Sequence, residues 1–346
     1  MSDRLYRYAI LRNPGHNRVY FDESKKLSLA ELSLSGRVLD AQLENARNEE
    51  IAGVPYLTFE TPASLSDADI AALSQLSFSY ALFERNEATL LPIPLARHEA
   101  FSTDIGSLLK YSGKTNEIFT RMMINIVLYS SDFARSSEIA LLDPLAMKGT
   151  TLFEAAMLGY DAYGIEIVDK PVHEAQIFFK KFLESERFKH EFHQERLGLP
   201  DKKSMTTYQF TYAPDKDTLR DAPRKLWMVC GDARYAAHVF RKDTFHLLVG
   251  DLPYGVAHGS STGDKRGAPT RNPAELIKLC LPAWRQVMKR GAALALSWNS
   301  FVLSRDALAQ VLRDGGLDVF TGGAYDQLEH RVDQAIRRDV VIARKM

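Results

Sequence analysis

Phe245-His246-Leu247-Leu248-Val249-Gly250-Asp251-Leu252-Pro253-Tyr254-Gly255 reads as a short apolar strand that runs straight into an acidic, proline-bearing turn. The apolar run is too short for a helix and has the length of a buried strand of a parallel sheet. Ligands of open α/β sheets bind just outside the carboxyl ends of such strands. At that position a carboxylate can accept from an exocyclic amino group. Pro253 fixes the backbone, and Tyr254 offers a flat face to a base. Because Pro and Gly also close ordinary turns, the neighbouring segments have to decide between the two.

Working outward, Glu138 to Ala343 alternates strands with helices, the pattern of a parallel sheet with crossover connections. Ile139 to Leu142 is a strand ending at Asp143-Pro144, and Gly149-Thr150-Thr151 opens a helix that Gly159 closes. Tyr160 to Ile167 follows as a strand closing on Glu166, then a long helical region from Pro171 toward Phe192. Residues 197–224 are polar and read as an insertion of unassigned structure. Leu226 to Cys230 is a strand ending in Gly231-Asp232. After the quoted stretch, residues 258–271 form a Gly- and Ser-rich loop. A helix from Pro273 to Lys289 comes next, followed by a strand from Ala292 to Ser297, a helix from Arg305 to Leu312, and strands near Leu317–Phe320 and Ala335–Ala343. Four successive strands therefore end in Asp143, Glu166, Asp232 and Asp251. Four carboxylates along one sheet edge suit ribose hydroxyls, an adenine amino group and a cationic ligand end. The loop from Asp143 to Thr150 has one glycine, whereas a dinucleotide pyrophosphate asks for three. That disfavours NAD and FAD.

Ahead of the sheet, Tyr6–Leu11 and Pro55–Phe59 read as strands, and Ser28–Leu34 and Asp67–Leu76 as helices, with caps at Ser66 and Asp67. Phe78–Phe83 and Ala88–Pro92 read as strands paired around Glu84-Arg85-Asn86. This predicts a small α+β domain over residues 1–98, joined by a polar linker to a domain over 105–346 with an insertion at about 190–225. The helix from Ile118 to Val127 carries an apolar stripe at helical spacing, with Thr115 as its cap.

These motifs, taken together and in order, resemble the S-adenosylmethionine-dependent methyltransferases that modify exocyclic amino groups of bases. Asp143 to Thr151 is similar to their Asp-Pro-x-x-Gly-x-Gly-Thr loop, and Asp251 to Tyr254 to their Asp/Asn-Pro-Pro-Tyr motif. The Leu252 variant with Gly255 looks most like the tRNA guanine-N2 methyltransferases of the THUMP-associated, adenine-amino-methylase-like superfamily. Gly113 to Glu117, His330 to Gln334 and Arg337 to Asp339 resemble flanking segments of that group. The resemblance implies a Rossmann-like class I methyltransferase fold, with a mostly parallel seven-stranded sheet and an antiparallel last strand. It implies S-adenosyl-L-methionine as cofactor. Asp143, Pro144, Gly149 and Thr150 would then hold the methionine end with Thr115 and Asn116, Glu166 and Ile167 the ribose, and Asp232 and Ala233 the adenine. Asp251 and the Leu252 carbonyl would accept from the target amine, with Pro253 setting the turn and Tyr254 stacking on the base. RNA, and within it tRNA, is the implied substrate. Lys265, Arg266, Arg271, Arg337 and Arg338 are candidate phosphate contacts. The chain departs from the pattern at Met147, where the family has glycine, and in a short N-terminal part.

That part is also acidic. Residues 40–90 hold nine Asp or Glu against Arg47 and Arg85, although the whole chain of 346 residues is formally neutral. Two other readings use the same motifs: an adenine-N6 or cytosine-N4 methyltransferase acting on DNA, and a non-catalytic RNA- or cofactor-binding protein in which Met147 has altered the loop. No apolar run reaches the length of a membrane span. Met1-Ser2-Asp3-Arg4 has no signal-peptide core, and Cys230 and Cys280 have no metal or redox spacing. The expectation is a cytoplasmic enzyme without metal or obligate protein partner.

Overall fold

The computed structural model describes residues 5–15, 18–87, 89–103, 105–108, 115–200, 204–254 and 272–346. Strands β1 (Tyr6–Arg12), β2 (Glu44–Ile51), β3 (Val54–Thr61), β4 (Ser79–Asn86) and β5 (Thr89–Ile93) form an antiparallel sheet in the order β2-β3-β1-β4-β5. Helices α1 (Arg18–Ser35) and α2 (Asp67–Ser74) belong to the same region, α2 opening on a Ser66–Asp69 capping box. One expectation changes here, and one strand was not anticipated. Glu84 to Asn86 lie within β4, whose ladder runs on to Asn86 opposite Thr89. The polar segment Glu44–Ile51 is an edge strand, with only β3 beside it.

After α3 (Ile105–Leu108) and α4 (Glu117–Tyr129) the chain enters its second sheet. Its elements are β6 (Ala140–Asp143), α5 (Thr150–Met157), β7 (Asp161–Glu166), α6 (Asp169–Ser185), β8 (Lys189–Gly198), β9 (Ser204–Ala213), α7 (Lys216–Asp221), β10 (Arg224–Cys230), α8 (Ala236–Val239), β11 (Phe245–Asp251), α9 (Pro273–Val287), β12 (Met288–Asn299), α10 (Arg305–Asp314), β13 (Asp318–Val319), β14 (His330–Arg331) and β15 (Arg337–Arg344). The strand order is β13-β15-β12-β11-β6-β7-β10-β9-β8, with β14 added to β15. Five central strands, β10-β7-β6-β11-β12, are parallel, and β15 runs antiparallel to β12 as expected. Helices cover both faces. Along β11, Leu247 and Val249 enter one apolar cluster while Leu248 enters the other, as the period-two alternation of a strand requires, and Phe245, ahead of a register irregularity between Phe245 and Leu247, joins the second. This is the Rossmann-like class I methyltransferase fold.

The sheet is larger than the seven strands expected. α6 stops at Ser185 instead of continuing toward Phe192, because Arg187 turns left-handed at φ 61° and Phe188 tucks against Phe101 with ring centroids 4.7 Å apart. The residues that follow form the β8–β9 hairpin, which extends the sheet beyond β10. Likewise α9 ends at Val287, two residues early, and β12 begins at Met288 rather than Ala292.

The two sheets share one apolar cluster that runs from Tyr8 and Ile10 through Phe119, Met122 and Ile126 to Val340. At the join, Glu31 of α1 is fully buried. It accepts from the Ser77 backbone N–H at 3.0 Å, from the Ser77 hydroxyl at 2.5 Å and from Asn125 of α4 at 2.8 Å. Burial raises the Glu31 pKa above the ordinary carboxyl value even though these bonds oppose the shift.

Candidate active site

Parallel strands buried on both faces place their acidic ends along one edge. β6, β7 and β11 end in Asp143, Glu166 and Asp251, and Asp232 lies two residues beyond β10. Leu248 pairs with Leu142, so Asp251 lies two residues farther along its strand than Asp143 does. Strand spacing and rise then separate the two α-carbons by roughly 8 Å. Two carboxylates this far apart can hold a donor and an acceptor of a transferred group side by side.

Asp251 is bound by hydroxyl groups. Thr115 Oγ1 donates to Oδ2 at 2.9 Å, Tyr254 Oη lies 2.7 and 2.8 Å from the two oxygens, and the Ser297 hydroxyl donates to Oδ1. Burial, and then the charge of Asp251, push the Tyr254 pKa well above that of an ordinary phenol, so Tyr254 stays protonated and donates. Behind this pair, the Arg338 guanidinium lies 5.3 Å from the Tyr254 ring centroid and 4.5 Å from that of Phe119. Burial works against the Arg338 charge, but Asp251 and Tyr254 outweigh it and raise its pKa. The turn is anchored from β12: the Leu252 N–H donates to the Ser297 carbonyl at 2.8 Å, and Asn299 Nδ2 to the Tyr254 carbonyl at 3.4 Å.

Asp143 and Glu166 are held differently. The Leu145 N–H donates to Asp143 Oδ1 at 2.9 Å. The Met147 N–H and Val168 N–H donate to Glu166 at 3.0 and 2.8 Å. Burial pushes the Asp143 carboxyl up to about 7, against the pull of Thr151 and Leu145, and the charges of Asp251 and Glu166 add to the rise. Burial also raises Glu166.

Between them lies the turn with Met147 in it. Met147 adopts φ 47° and Gly149 φ 84°, so both stand in the left-handed region that glycine accepts freely. The Met147 side chain is 54% exposed. The turn thus carries a methionine in a left-handed position, at a backbone cost of about 1–2 kcal/mol. Gly164 of β7 permits close contact beneath: a Cβ there would lie 2.7 Å from Leu152 Cδ1 and 2.8 Å from Ala146 Cβ.

The remaining residues sort as follows. Thr115 sits on the Asp251 carboxylate, and the cap of α4 is Asn116, which accepts from Ile118 and Phe119 at 2.8 and 3.2 Å. Pro144 lies under Gly250, 3.6 Å from where a Cβ would be. Thr150 is buried at the start of α5, and Ile167 is half-buried beside Glu166. Asp232 caps a 3-10 turn over Ala233–Tyr235 and pairs with Arg234 at 2.6 Å. The Ala233 carbonyl accepts from Trp284 at 3.2 Å. Leu252 is buried, and Pro253 is half-buried.

As for the phosphate candidates, Arg338 is buried at 6% exposure and turned onto Tyr254, so it braces the motif rather than facing a phosphate. Arg337 is exposed. Lys265, Arg266 and Arg271, with Gly113, Lys114 and Gly255, lie outside the described residues. Ser297 could not be picked out from the sequence, since it follows an apolar run within β12 with nothing local to tie it to Asp251. The pairing of Arg338 with Phe119 was equally hidden, because it joins residues more than two hundred positions apart.

Among the described residues, no group of three or more His, Cys, Asp or Glu could hold a metal ion. Nor is any described helix long and apolar enough to cross a membrane. The donor set fits S-adenosylmethionine in one respect: Asp143, Glu166 and Asp251 end neighbouring strands, and the ammonium and sulfonium of that ligand would offer them positive charge. Asp143 and the Met147–Thr150 turn would hold its amino-acid end and Glu166 its ribose.

Neither a family model nor a curated protein matches the sequence. Among solved structures the chain is similar to TrmN from Thermus thermophilus, at 12% identity and a TM-score of 0.41, covering 88% of this chain and 60% of that one. It is also similar to the ribosomal protein L11 methylase of Lactobacillus delbrueckii (12%, TM-score 0.36, 66% and 80% covered) and to TehB from Haemophilus influenzae (10%, 0.35, 62% and 60%). The chain therefore spans 60% of the TrmN length. At such scores these likenesses carry no conclusion about activity.

Proposed function

We propose that the protein is an S-adenosylmethionine-dependent methyltransferase acting on an exocyclic amino group of an RNA base, guanosine N2 in tRNA in particular. The observation that carries this reading is Asp251, a carboxylate bound by exchangeable hydroxyls at the end of β11, directly followed by Leu-Pro-Tyr. The cofactor supplies an electrophilic methyl group on a sulfonium. An aromatic amine is a poor nucleophile because its lone pair is delocalised into the ring. Asp251 and the Leu252 carbonyl, by accepting its N–H bonds, favour the more tetrahedral nitrogen that attacks. To meet them, the base displaces the Tyr254 hydroxyl from Asp251, which frees the ring to stack and to hold the amine in line. The target base must be extruded if it is paired. The buried Arg338 guanidinium keeps a positive charge beside Asp251 as this exchange occurs. The preference for guanosine N2 rests on the resemblance of Leu252 and Gly255 to that group, and the N-terminal region (residues 1–98) is assigned to positioning the RNA, ahead of a catalytic domain over 105–346.

The exposed Met147 side chain weighs against the non-catalytic alternative, since the turn keeps its left-handed path. The test is Asp251→Ala. Methyl transfer to RNA, followed by nucleoside mass spectrometry, should fall about 10²–10³-fold, as when one aimed polar group is removed. S-adenosylmethionine affinity by calorimetry should stay within about threefold. Unchanged transfer would refute the assignment of Asp251, and absence of cofactor binding by the unsubstituted protein would refute the methyltransferase reading.

A further inference from the structure

Beyond the carboxyl edge, the segment Ser300 to Leu303 carries Phe301 at 64% exposure, with Val302 at 44% beside it. A single exposed ring is common on protein surfaces, but here a set of hydrogen bonds fixes the segment that carries it. The Phe301 N–H donates to Asn299 Oδ1 at 3.2 Å, and the Ser300 N–H to the Arg337 carbonyl at 2.7 Å. Ser300 Oγ donates to Glu329 at 2.8 Å, and the buried Trp298 indole N–H to the Leu303 carbonyl at 2.7 Å. Asn299 is also the residue whose amide reaches the Tyr254 carbonyl, so the same side chain positions Phe301 and the catalytic turn.

The Arg337 guanidinium lies 5.8 Å from the Phe301 ring centroid and is itself exposed. Opposite Arg337, in register across the β14–β15 pair, stands Arg331, also exposed. Like charges directly opposite each other in a sheet are destabilising. Glu329 meets Arg337 at 3.7 Å, and on the other side the Arg331 backbone N–H donates to Glu23 at 3.2 Å and its Nε to the Asp333 carbonyl at 3.2 Å. The Asp333 carboxylate is turned to the backbone N–H groups of Ala335 and Ile336. An aromatic face next to two arginines is the arrangement with which proteins hold single-stranded nucleic acid, the base on the ring and the phosphate on the cation.

Position fits the same occupant. Asp251, Ser297 and Val340 are in register across β11, β12 and β15. Arg337 lies three residues from Val340 along β15 and two strands across from Asp251, roughly 14 Å between α-carbons, within reach of a nucleotide flanking one bound at Asp251. We infer that Phe301, Arg337 and Arg331 form a second RNA contact, in which an unpaired base next to the target stacks on Phe301 and its phosphate meets the arginines. This inference rests on the proposed function, and names the substrate form: a base flanked by single strand rather than by duplex.

The experiment uses the full chain, a fluorescein-labelled unstructured RNA about 20 nucleotides long, and a DNA of the same sequence, at fixed salt. Phe301→Ala should weaken RNA binding by about 5- to 150-fold, the effect of removing one base-stacking ring, and Phe301→Trp should restore it. Arg337→Ala should weaken binding and lower the slope of log affinity against log salt by about 1, whereas Phe301→Ala leaves that slope unchanged. In both variants calorimetry should give unaltered S-adenosylmethionine affinity, which separates loss of the contact from loss of the fold. Equal RNA binding by Phe301→Ala and the unsubstituted protein, with methylation intact, would overturn this inference and leave the proposed function standing. Tighter binding of the DNA would overturn the choice of RNA in both.

Discussion

The carboxylates at the two sides of the sheet edge are satisfied by different kinds of donor. Glu166 takes its bonds from the backbone N–H groups of Met147 and Val168, and Asp143 from the Leu145 N–H together with the Thr151 side chain. Asp251 takes its bonds from the hydroxyls of Thr115, Tyr254 and Ser297. A backbone donor moves only if the chain moves, whereas a hydroxyl rotates about a single bond and can surrender its acceptor. The first side therefore suits a ligand that must always lie in one place. The second suits a substrate that arrives, displaces a protein donor and leaves.

That contrast can be broken most severely at Asp143. Asp143→Asn should lower S-adenosylmethionine affinity by about 10- to 100-fold through loss of a charged acceptor. The same change should stabilise the ligand-free protein. The Asp143 carboxyl titrates near 7 when folded against an ordinary value of 3.8. Between those values the unfolded chain holds fewer protons, so stability falls as pH rises from about 4 to about 7 and levels off above. Thermal unfolding should accordingly show the variant ahead of the parent by on the order of 3 kcal/mol at pH 8, with the gap closing toward pH 4. A cationic ligand reverses the preference, so parental cofactor affinity should rise with pH up to about 7 and that dependence should vanish in the variant. A flat parental profile would mean Asp143 does not meet the cofactor's charge.

A smaller effect tests whether backbone-held carboxylates depend on the path of the chain. Gly164→Ala places a methyl against Leu152 and Ala146, and should cost about 1–3 kcal/mol of stability as an overpacking change. If the contrast is right, cofactor affinity falls with it and RNA binding does not. Smallest is Met147→Gly. Relief of about 1–2 kcal/mol of left-handed strain is offset by about 0.4–1 kcal/mol of added unfolded-chain entropy. The expected net gain is about 0.5 kcal/mol in urea unfolding, with the Glu166 bond retained because it comes from the backbone. A loss of stability would show that the Met147 side chain has a partner on the surface.

The parallel sheet and its acidic ends were legible because each rests on a local pattern: a short apolar run followed at once by Asp or Glu. Edge elements were not. β2 (Glu-Asn-Ala-Arg-Asn-Glu-Glu-Ile) and β8 (Lys-His-Glu-Phe-His-Gln-Glu-Arg-Leu-Gly) put polar side chains on nearly every position, since an edge strand has solvent on one side, and the period-two signal is lost. In the site, Asp251 and Tyr254 could be read from their spacing to each other. Ser297 and Arg338 reach them by strand pairing, through Asp251 opposite Ser297 and Asn299 opposite Arg338, and no local spacing encodes register between β11, β12 and β15. Burial likewise moved Arg338 from the surface, where a pair of arginines invites phosphate, to a place beneath the tyrosine.

Helix α4 touches both ends of this story. At its start Thr115 and Asn116 lie against Asp251 and the helix backbone, and two turns on Asn125 is bonded to Glu31 of the N-terminal region. Phe119, Met122 and Ile126 face a cluster shared with Tyr8, Leu27 and Leu57. Scissors placed in the chain near residue 104 would consequently not yield an enzyme and a spare module. They would strip the apolar flank from the helix that brings Thr115 to Asp251, and leave Asn125 without Glu31. The acidic first hundred residues act as a splint for that helix.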